Sequence, residues 1–202
     1  MARPVEHEKR RELAQRAVEA LERLGIDASM TDVADALGLK RPTLLYHFPS
    51  KSAIVEQALA DLLAEQARFV IARQEEHRHP IDQLFAQIVA THEFHHGKES
   101  RVLFLSQLIA TGGTERAAAV MHVGNMAFEA RRQLMAARLR AGIAAGTVAP
   151  HDVDALISVV RSFNDGLIIQ RVMLGADLAP IHAFIWEHVL APLKREPARE
   201  AP

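Results

Sequence analysis

The 202 residues include no cysteine. That excludes disulfides, thiolate metal sites and a cysteine nucleophile, and it is the usage expected of a reducing cytoplasm. Aromatic residues make up only 5% of the chain, with one Trp and one Tyr. No apolar run approaches the ~20 residues needed to span a bilayer, so no membrane segment is expected. The opening stretch MARPVEHEKRRELAQ has none of the apolar core of a secretory leader. Neither sign of charge dominates: 24 Lys and Arg stand against 25 Asp and Glu, for a net charge of −1. Net charge therefore gives no general reason to expect a nucleic-acid or membrane partner. Val and Ile rarely alternate with polar residues, so strands find no support. There is no G-x-S-x-G elbow and no glycine-rich phosphate loop, so nothing asks for catalysis or for a cofactor.

What the chain does have is Ala, Leu and helical spacing. The hydrophobic fraction is 49%, and apolar residues recur at intervals of three and four. The fold class expected is all-α with about nine helices. A first helix runs from about Val5 to Leu24, with Leu13, Ala17, Ala20 or Leu21, and Leu24 on its inner stripe and Gly25 at its end. Two short helices follow, then a long one from Lys51 to about His77. Further helices are expected over about 80–96, 101–111, 114–146, 153–174 and 179–193. The division expected is a small domain over 1–50, a larger one over 51–193, and a polar, proline-bearing tail over 194–202 that reads as disordered.

The most informative stretch is Ser29–Lys51, SMTDVADALGLKRPTLLYHFPSK. Ser29 suits an N-cap, and Asp32 places a carboxylate in the first turn, where the helix dipole favours it. Val33, Ala34 and Leu37 share a face, and Gly38 stops the helix. Leu39-Lys40-Arg41 makes a turn, and Pro42 suits the start of a new helix because its missing N–H has no intrahelical partner there. Leu44 and Phe48, four apart, form the inner face, leaving Arg41, Thr43, Leu45, Tyr46 and His47 outward. Pro49 ends this helix and Ser50 caps the next. From Ala36 through Val55 there is no Asp or Glu, while Lys40, Arg41 and Lys51 are present. The basic signal is local, since residues 1–51 hold nine Lys and Arg against eight Asp and Glu. A helix, a turn and a second short helix with a polar, aromatic outer face is the layout of a helix-turn-helix DNA reader.

The run LERLGIDASMTDVADALGLKRPTLLYHFPSKSAIVEQAL resembles the N-terminal domain of the tetracycline-repressor (TetR) family. The features that carry the likeness are Gly25 closing the first helix, the S-x-T-D-V-A start, the A-x-G-L turn, the P-T-L-x-Y-H-F helix and the P-S-K entry to the next helix. The resemblance implies a homodimeric transcriptional regulator, most often a repressor. Its last two helices would form a four-helix bundle with those of a second copy. Arg41, Pro42, Thr43, Tyr46 and His47 would meet bases or nearby backbone of a palindromic operator. Ser29, Thr31 and Lys51 would hold phosphates, with Lys40 beside them. The family often has Tyr where this chain has Leu45, so that phosphate contact is lost or passed to Tyr46. The resemblance also implies a small-molecule effector in a cavity of the C-terminal half. Candidate lining residues are Phe85, Phe104, Leu108, Met121, Phe128, Phe163 and Asn164, with Arg131, Arg161 and Asp165 as polar anchors if buried. A helical small-molecule or metal-binding protein without DNA binding is the alternative.

Eleven histidines raise the question of metal. His92, His95 and His96 lie at i, i+3 and i+4, and E-x-x-H occurs at Glu76–His79 and Glu93–His96. Paired E-x-x-H on facing helices builds di-iron sites. His79, however, directly precedes Pro80, where the backbone leaves the helical region. Partly exposed histidines are the expectation, with a single regulatory metal near His92, His95 and His96 as the alternative. Apolar residues of the 153–174 helix cover more than one face, as do those of the 179–193 helix, which places both either in the core or against a second copy.

Overall fold

A computed structural model describes residues 4–195 apart from 26, 100, 102, 105–106 and 108–113, and the backbone alone of 4, 5 and 114–127. Eight α-helices are described: α1 Pro4–Leu24, α2 Met30–Ala36, α3 Arg41–His47, α4 Lys51–Glu75, α5 Pro80–His95, α6 Thr114–Ala144, α7 Val153–Leu174 and α8 Ala179–Ile185. The chain is all-α, and among the described residues the only β pairing is an isolated bridge between Val148 and Lys194. The helix expected over 101–111 falls mostly outside the described residues. Its chain contacts group into two units, residues 1–65 with 100–125 and residues 66–99 with 126–202.

The first unit closes around α1–α3 and the start of α4. Leu13, Ala14, Ala17, Val18 and Leu21 of α1 pack with Val33, Ala34, Leu37, Leu44, Phe48, Ile54, Val55 and Ala58. Ala20 and Leu21 are both buried, whereas Leu24, expected inside, is 49% exposed. Leu24 is the last residue of α1, beyond the point where α2 and α3 cover it. The α2 ends follow local rules. Ser29 Oγ accepts from Asp32 N at 3.2 Å while the Asp32 carboxylate accepts from Ser29 N at 2.8 Å, a reciprocal capping box. These two bonds, the backbone one first, hold the Asp32 carboxyl below the usual carboxylate range. At the other end Gly38 takes φ +68°. Leu39 N then reaches Ala34 O at 2.9 Å and Gly38 N reaches Asp35 O at 3.0 Å, a Schellman closure that glycine makes without strain. Ser29→Ala should cost about 1 kcal/mol, read as a lower midpoint in chemical denaturation, and an unchanged midpoint would show the cap to be idle.

The second unit is built on α5, the C-terminal part of α6, α7 and α8. Ile81, Leu84, Ile88, Leu139, Val160, Leu178, Ile185 and Leu190 are among its most buried side chains. The helix expected to run unbroken from 179 to 193 changes character at Trp186. It passes through a π-helical turn, Trp186–Leu190, and a 3₁₀ turn, Ala191–Leu193. Pro192 has no N–H to continue an α-helical ladder. Lys194 and Arg195 are tied down although they open the stretch expected to be a tail. Lys194 Nζ donates to Asp82 at 2.8 Å, and Arg195 N donates to Thr147 O at 2.9 Å. Residues 196–202 lie outside the described residues. The α7 helix is two-sided: Leu156, Ile157, Val160, Leu167 and Ile168 are buried, while Val159, Ile169 and Val172 are exposed.

Candidate nucleic-acid interface

The α3 helix is a small rod with two unlike sides. Leu44 and Phe48 are fully buried and anchor it on the first unit's core. Arg41, Pro42, Thr43 and Tyr46 are exposed, Tyr46 at 76%, and Leu45 and His47 are half-buried. The helix begins at Arg41, one residue earlier than expected, with Lys40 as N-cap and Pro42 in the first turn. Lys40 and Arg41 make no ion pair among the described residues, so both guanidinium and ammonium are available to an external anion. Tyr46 and His47 stand edge to face with ring centroids 5.2 Å apart. Ser29 and Thr31 are exposed and Lys51 half-buried at the starts of α2 and α4. Ser50 Oγ caps α4 by accepting from Ala53 N at 3.2 Å.

The basic cluster of α1 divides its labour. Arg11 Nε donates to Asp61 at 3.1 Å, fastening α1 to α4. The Arg10 guanidinium lies over the Phe48 ring at 5.2 Å. Arg16 donates to Leu37 O at 3.4 Å, serving a carbonyl at the end of α2. Lys9 alone of the Lys9-Arg10-Arg11 run remains exposed without such a role. Two clefts separate α1 from α3. One of about 240 Å³ is lined by Glu6, His7, Arg10, Tyr46 and His47; the other, of about 190 Å³, includes Lys9, Arg16, Thr43 and His47. His47 borders both clefts.

A sequence model described as "Bacterial regulatory proteins, tetR family" matches residues 13–58, the segment that builds this surface. Residues 13–58 are thus similar to the N-terminal domain of the TetR family. The matched segment is the helix-turn-helix part of the chain, α1 to the start of α4. The chain's fold matches solved TetR-like structures along nearly the whole chain. FadR from Bacillus subtilis in complex with stearoyl-CoA is 15% identical, with TM-score 0.72 over 90% of this chain and 98% of that one. A putative regulator from Saccharomonospora viridis in complex with choline is 21% identical, with TM-score 0.70 over 94% and 99%. The ketosteroid regulator KstR2 of Mycobacterium tuberculosis is 21% identical, with TM-score 0.61 over 93% and 96%. No curated protein sequence matches the chain. No helix among the described residues is long and apolar enough to cross a membrane.

The effector candidates do not all come together. Phe104 packs on the core of the first unit. Leu108 and the side chain of Met121 lie outside the described residues. Phe85, Phe128 and Phe163 pack against the second unit's core, Phe85 facing Trp186 at 5.0 Å and Phe128 lying under Arg161 at 4.0 Å. Asn164 is buried, and its Oδ1 has no hydrogen-bond partner among the described residues. Arg131 is half-buried, and burial lowers its pKa. Asp165 is exposed and pairs with Arg161 at 3.6 Å.

The histidines are not the partly exposed set expected. His92 and His95 are buried, at 1% and 4% exposure, and only His96 is open to solvent. His79 serves the N-terminus of α5, its Nδ1 accepting from Ile81 N at 3.2 Å while Nε2 meets Thr147 O at 3.0 Å. Glu76 and Glu93 turn to Arg73 instead of inward. No group of three or more metal-ligating side chains occurs among the described residues. His92 instead finds a partner the sequence reading missed. Its Nδ1 lies 2.9 Å from His182 Nε2, and its Nε2 lies 3.1 Å from Asn164 O. The backbone oxygen can only accept, so His92 Nε2 carries a proton. His92 Nδ1 is then the acceptor and His182 Nε2 the donor. Arg171 donates to His92 O at 3.1 Å and to Glu99 at 2.8 Å. Burial, the largest single influence, works against charge on Glu99, but the hydrogen bond and charge of Arg171 together with backbone hydrogen bonds outweigh it, and the carboxyl sits below its ordinary value.

Proposed function

We propose that the chain is a homodimeric, cytoplasmic transcriptional repressor that grips a roughly palindromic operator and is released by a small-molecule effector. The observation that carries this reading is the α3 surface: an acid-free outer face with Arg41 unpaired, held rigidly from beneath by Leu44 and Phe48. Two such helices, one per protomer, would enter successive major grooves about 34–36 Å apart. Arg41 would read guanine through a bidentate pair to O6 and N7. Pro42 and Thr43 would meet a thymine methyl. Tyr46 and His47 would meet bases or nearby backbone, while Ser29, Thr31, Lys40 and Lys51 would hold phosphates. The half-buried Leu45 cannot hydrogen-bond a phosphate, so Tyr46 would take that contact.

Effector binding would bias α4, which continues from the reading domain, and DNA and effector would then weaken each other reciprocally. Within the second unit, Phe85, Phe128, Phe163 and the unsatisfied Asn164 Oδ1 are the groups we assign to it, an apolar wall with one polar anchor. The two ligands named for the structural neighbours, stearoyl-CoA and choline, share no chemistry, so the fold does not choose the effector.

Selection of bound duplexes from a random library, run beside Arg41→Ala, tests the reading. A two-fold symmetric motif should emerge from the wild type. The variant should lose its strongest guanine preference, at a cost of about 1–3 kcal/mol. Affinity should also fall steeply between low and physiological salt. No enrichment at low salt by folded protein would move the reading to a helical binding module that does not touch DNA.

A further inference from the structure

The inner stripe of α1 continues one turn beyond the core it covers. Leu13, Ala14, Ala17 and Leu21 are buried, and the next position along that face is Arg10, three residues before Leu13 and four before Ala14. An apolar side chain is the expected occupant there. Arg10 instead lies half-buried with its guanidinium over the Phe48 ring at 5.2 Å. One side chain thus covers the end of the core and carries a charge to its edge.

That charge has no use inside the protomer. Arg11 is engaged by Asp61 and Arg16 by Leu37 O. The Arg10 guanidinium makes no ion pair and no hydrogen bond among the described residues, and its Nε–H is buried without a partner there. Leaving a charged donor buried and unsatisfied is costly. A methionine would cover Phe48 without that cost.

What the guanidinium borders is a cleft of about 240 Å³ between α1 and α3. Glu6, His7 and Arg10 form one wall, Tyr46 and His47 the other. With a water's share of liquid at ~30 Å³, the space holds a phosphodiester group and its waters. His7 and His47 add imidazole donors on facing walls. Glu6 is the one acid of the lining; it is exposed, so solvent screens it. Tyr46 and His47 also belong to the outer side of α3, which puts the cleft beside the surface assigned above to the bases.

We propose that this cleft takes a phosphate of the DNA backbone, with Arg10 as its principal cation, so that α1 joins α2–α4 in gripping the operator. This rests on the DNA-reading proposal above and adds a contact from a helix that reads no base. A planar guanidinium already stacked on Phe48 gives up little freedom when a phosphate arrives.

The test uses the full-length protein and the duplex selected by the wild type, with binding followed by fluorescence anisotropy between ~50 and ~200 mM salt. Methionine keeps an adaptable apolar group on Phe48 and removes the charge. Arg10→Met should bind roughly tenfold more weakly at the lower salt, with a salt slope shallower by about one and an unchanged sequence preference. Arg10→Leu, a second apolar cover for Phe48, should do the same. Arg10→Lys, which keeps the charge, should retain the wild-type slope. Operator phosphates replaced one at a time by uncharged methylphosphonates then locate the contact. One position in each half-site should weaken the wild type roughly tenfold and leave Arg10→Met unaffected. An unchanged salt slope in the two apolar variants, or methylphosphonate losses that simply add to theirs, would overturn the phosphate contact while leaving the α3 reader standing. A wild type that enriches no duplex would overturn both.

Discussion

Replacing Phe48 with alanine is expected to cost about 3–5 kcal/mol, the ordinary price of emptying a fully buried phenylalanine site. Phe48 is the largest of the completely buried side chains. It touches both faces of the reading head at once, sitting under the Arg10 guanidinium and four residues from Leu44 on the same side of α3. The first unit's core is small, made of α1–α3 and one end of α4, and a loss of that size is a large fraction of a domain's whole stability. The variant should therefore lose protection of α2 and α3 amides in hydrogen exchange and lose operator binding with it. Tyr46→Ala makes the opposite case. With its ring 76% exposed, its removal should change stability by no more than about 0.5 kcal/mol while still weakening binding. Loss of binding with full amide protection in Tyr46→Ala, beside joint loss in Phe48→Ala, would separate the residue that reads from the residue that holds the reader. Equal protection in the two variants would refute the assignment of Phe48 as the anchor.

The reading head was legible in the sequence because each of its boundaries is set by a rule acting over three or four residues. Ser29 with Asp32, Gly38 with Leu39, and Ser50 with Ala53 need nothing distant to form. The one-residue shift at the start of α3 arises because Pro42 is tolerated anywhere in a first turn, so it marks the helix start only approximately. In the second unit periodicity found α7 and its two apolar faces, but a helical repeat names a face and not its partner. His92 was visible as one of three close histidines. Its actual partner, His182, is 90 positions away on another helix, and no local spacing links them. Burial of His92 and His95 was missed for the same reason: polar residues weaken the apolar stripe that would have placed them inside. The π-helical turn at Trp186 was equally hidden, since it arises where α8 is held by Phe85 and ended by Pro192.

That buried pair gives a second large effect, this one set by pH. Burial, more than any neighbour, pushes the His92 imidazole down from 6.5 to about 4. The hydrogen bond to Asn164 O works the other way, and His182, Arg171 and His95 oppose a charge there. Burial is also the first cause that lowers His182 and His95, with Glu93 and Asp177 favouring charge on His182 and Glu99 favouring it on His95. A proton on His92 itself has no place to go without breaking the bond, because its Nε2 already carries one for Asn164 O and its Nδ1 accepts from His182 Nε2. In the unfolded chain the same imidazoles titrate near 6.5, so below that pH the unfolded state binds more protons. Stability must then fall as pH drops from 6.5 toward 4 and stay unaffected by His92 above that window. At about 1.4 kcal/mol per pKa unit, His92 alone accounts for roughly 3 kcal/mol by the lower end. His92→Gln can still donate to Asn164 O and accept from His182. It should cost something at pH 7.5, yet its denaturation midpoint should decline less than that of the wild type between pH 6.5 and 4.5. Parallel declines in the two proteins would mean that the acid sensitivity resides elsewhere. A shallower slope in the variant would identify the histidine pair that joins α5 to α8 as the part of the second unit that acid attacks first.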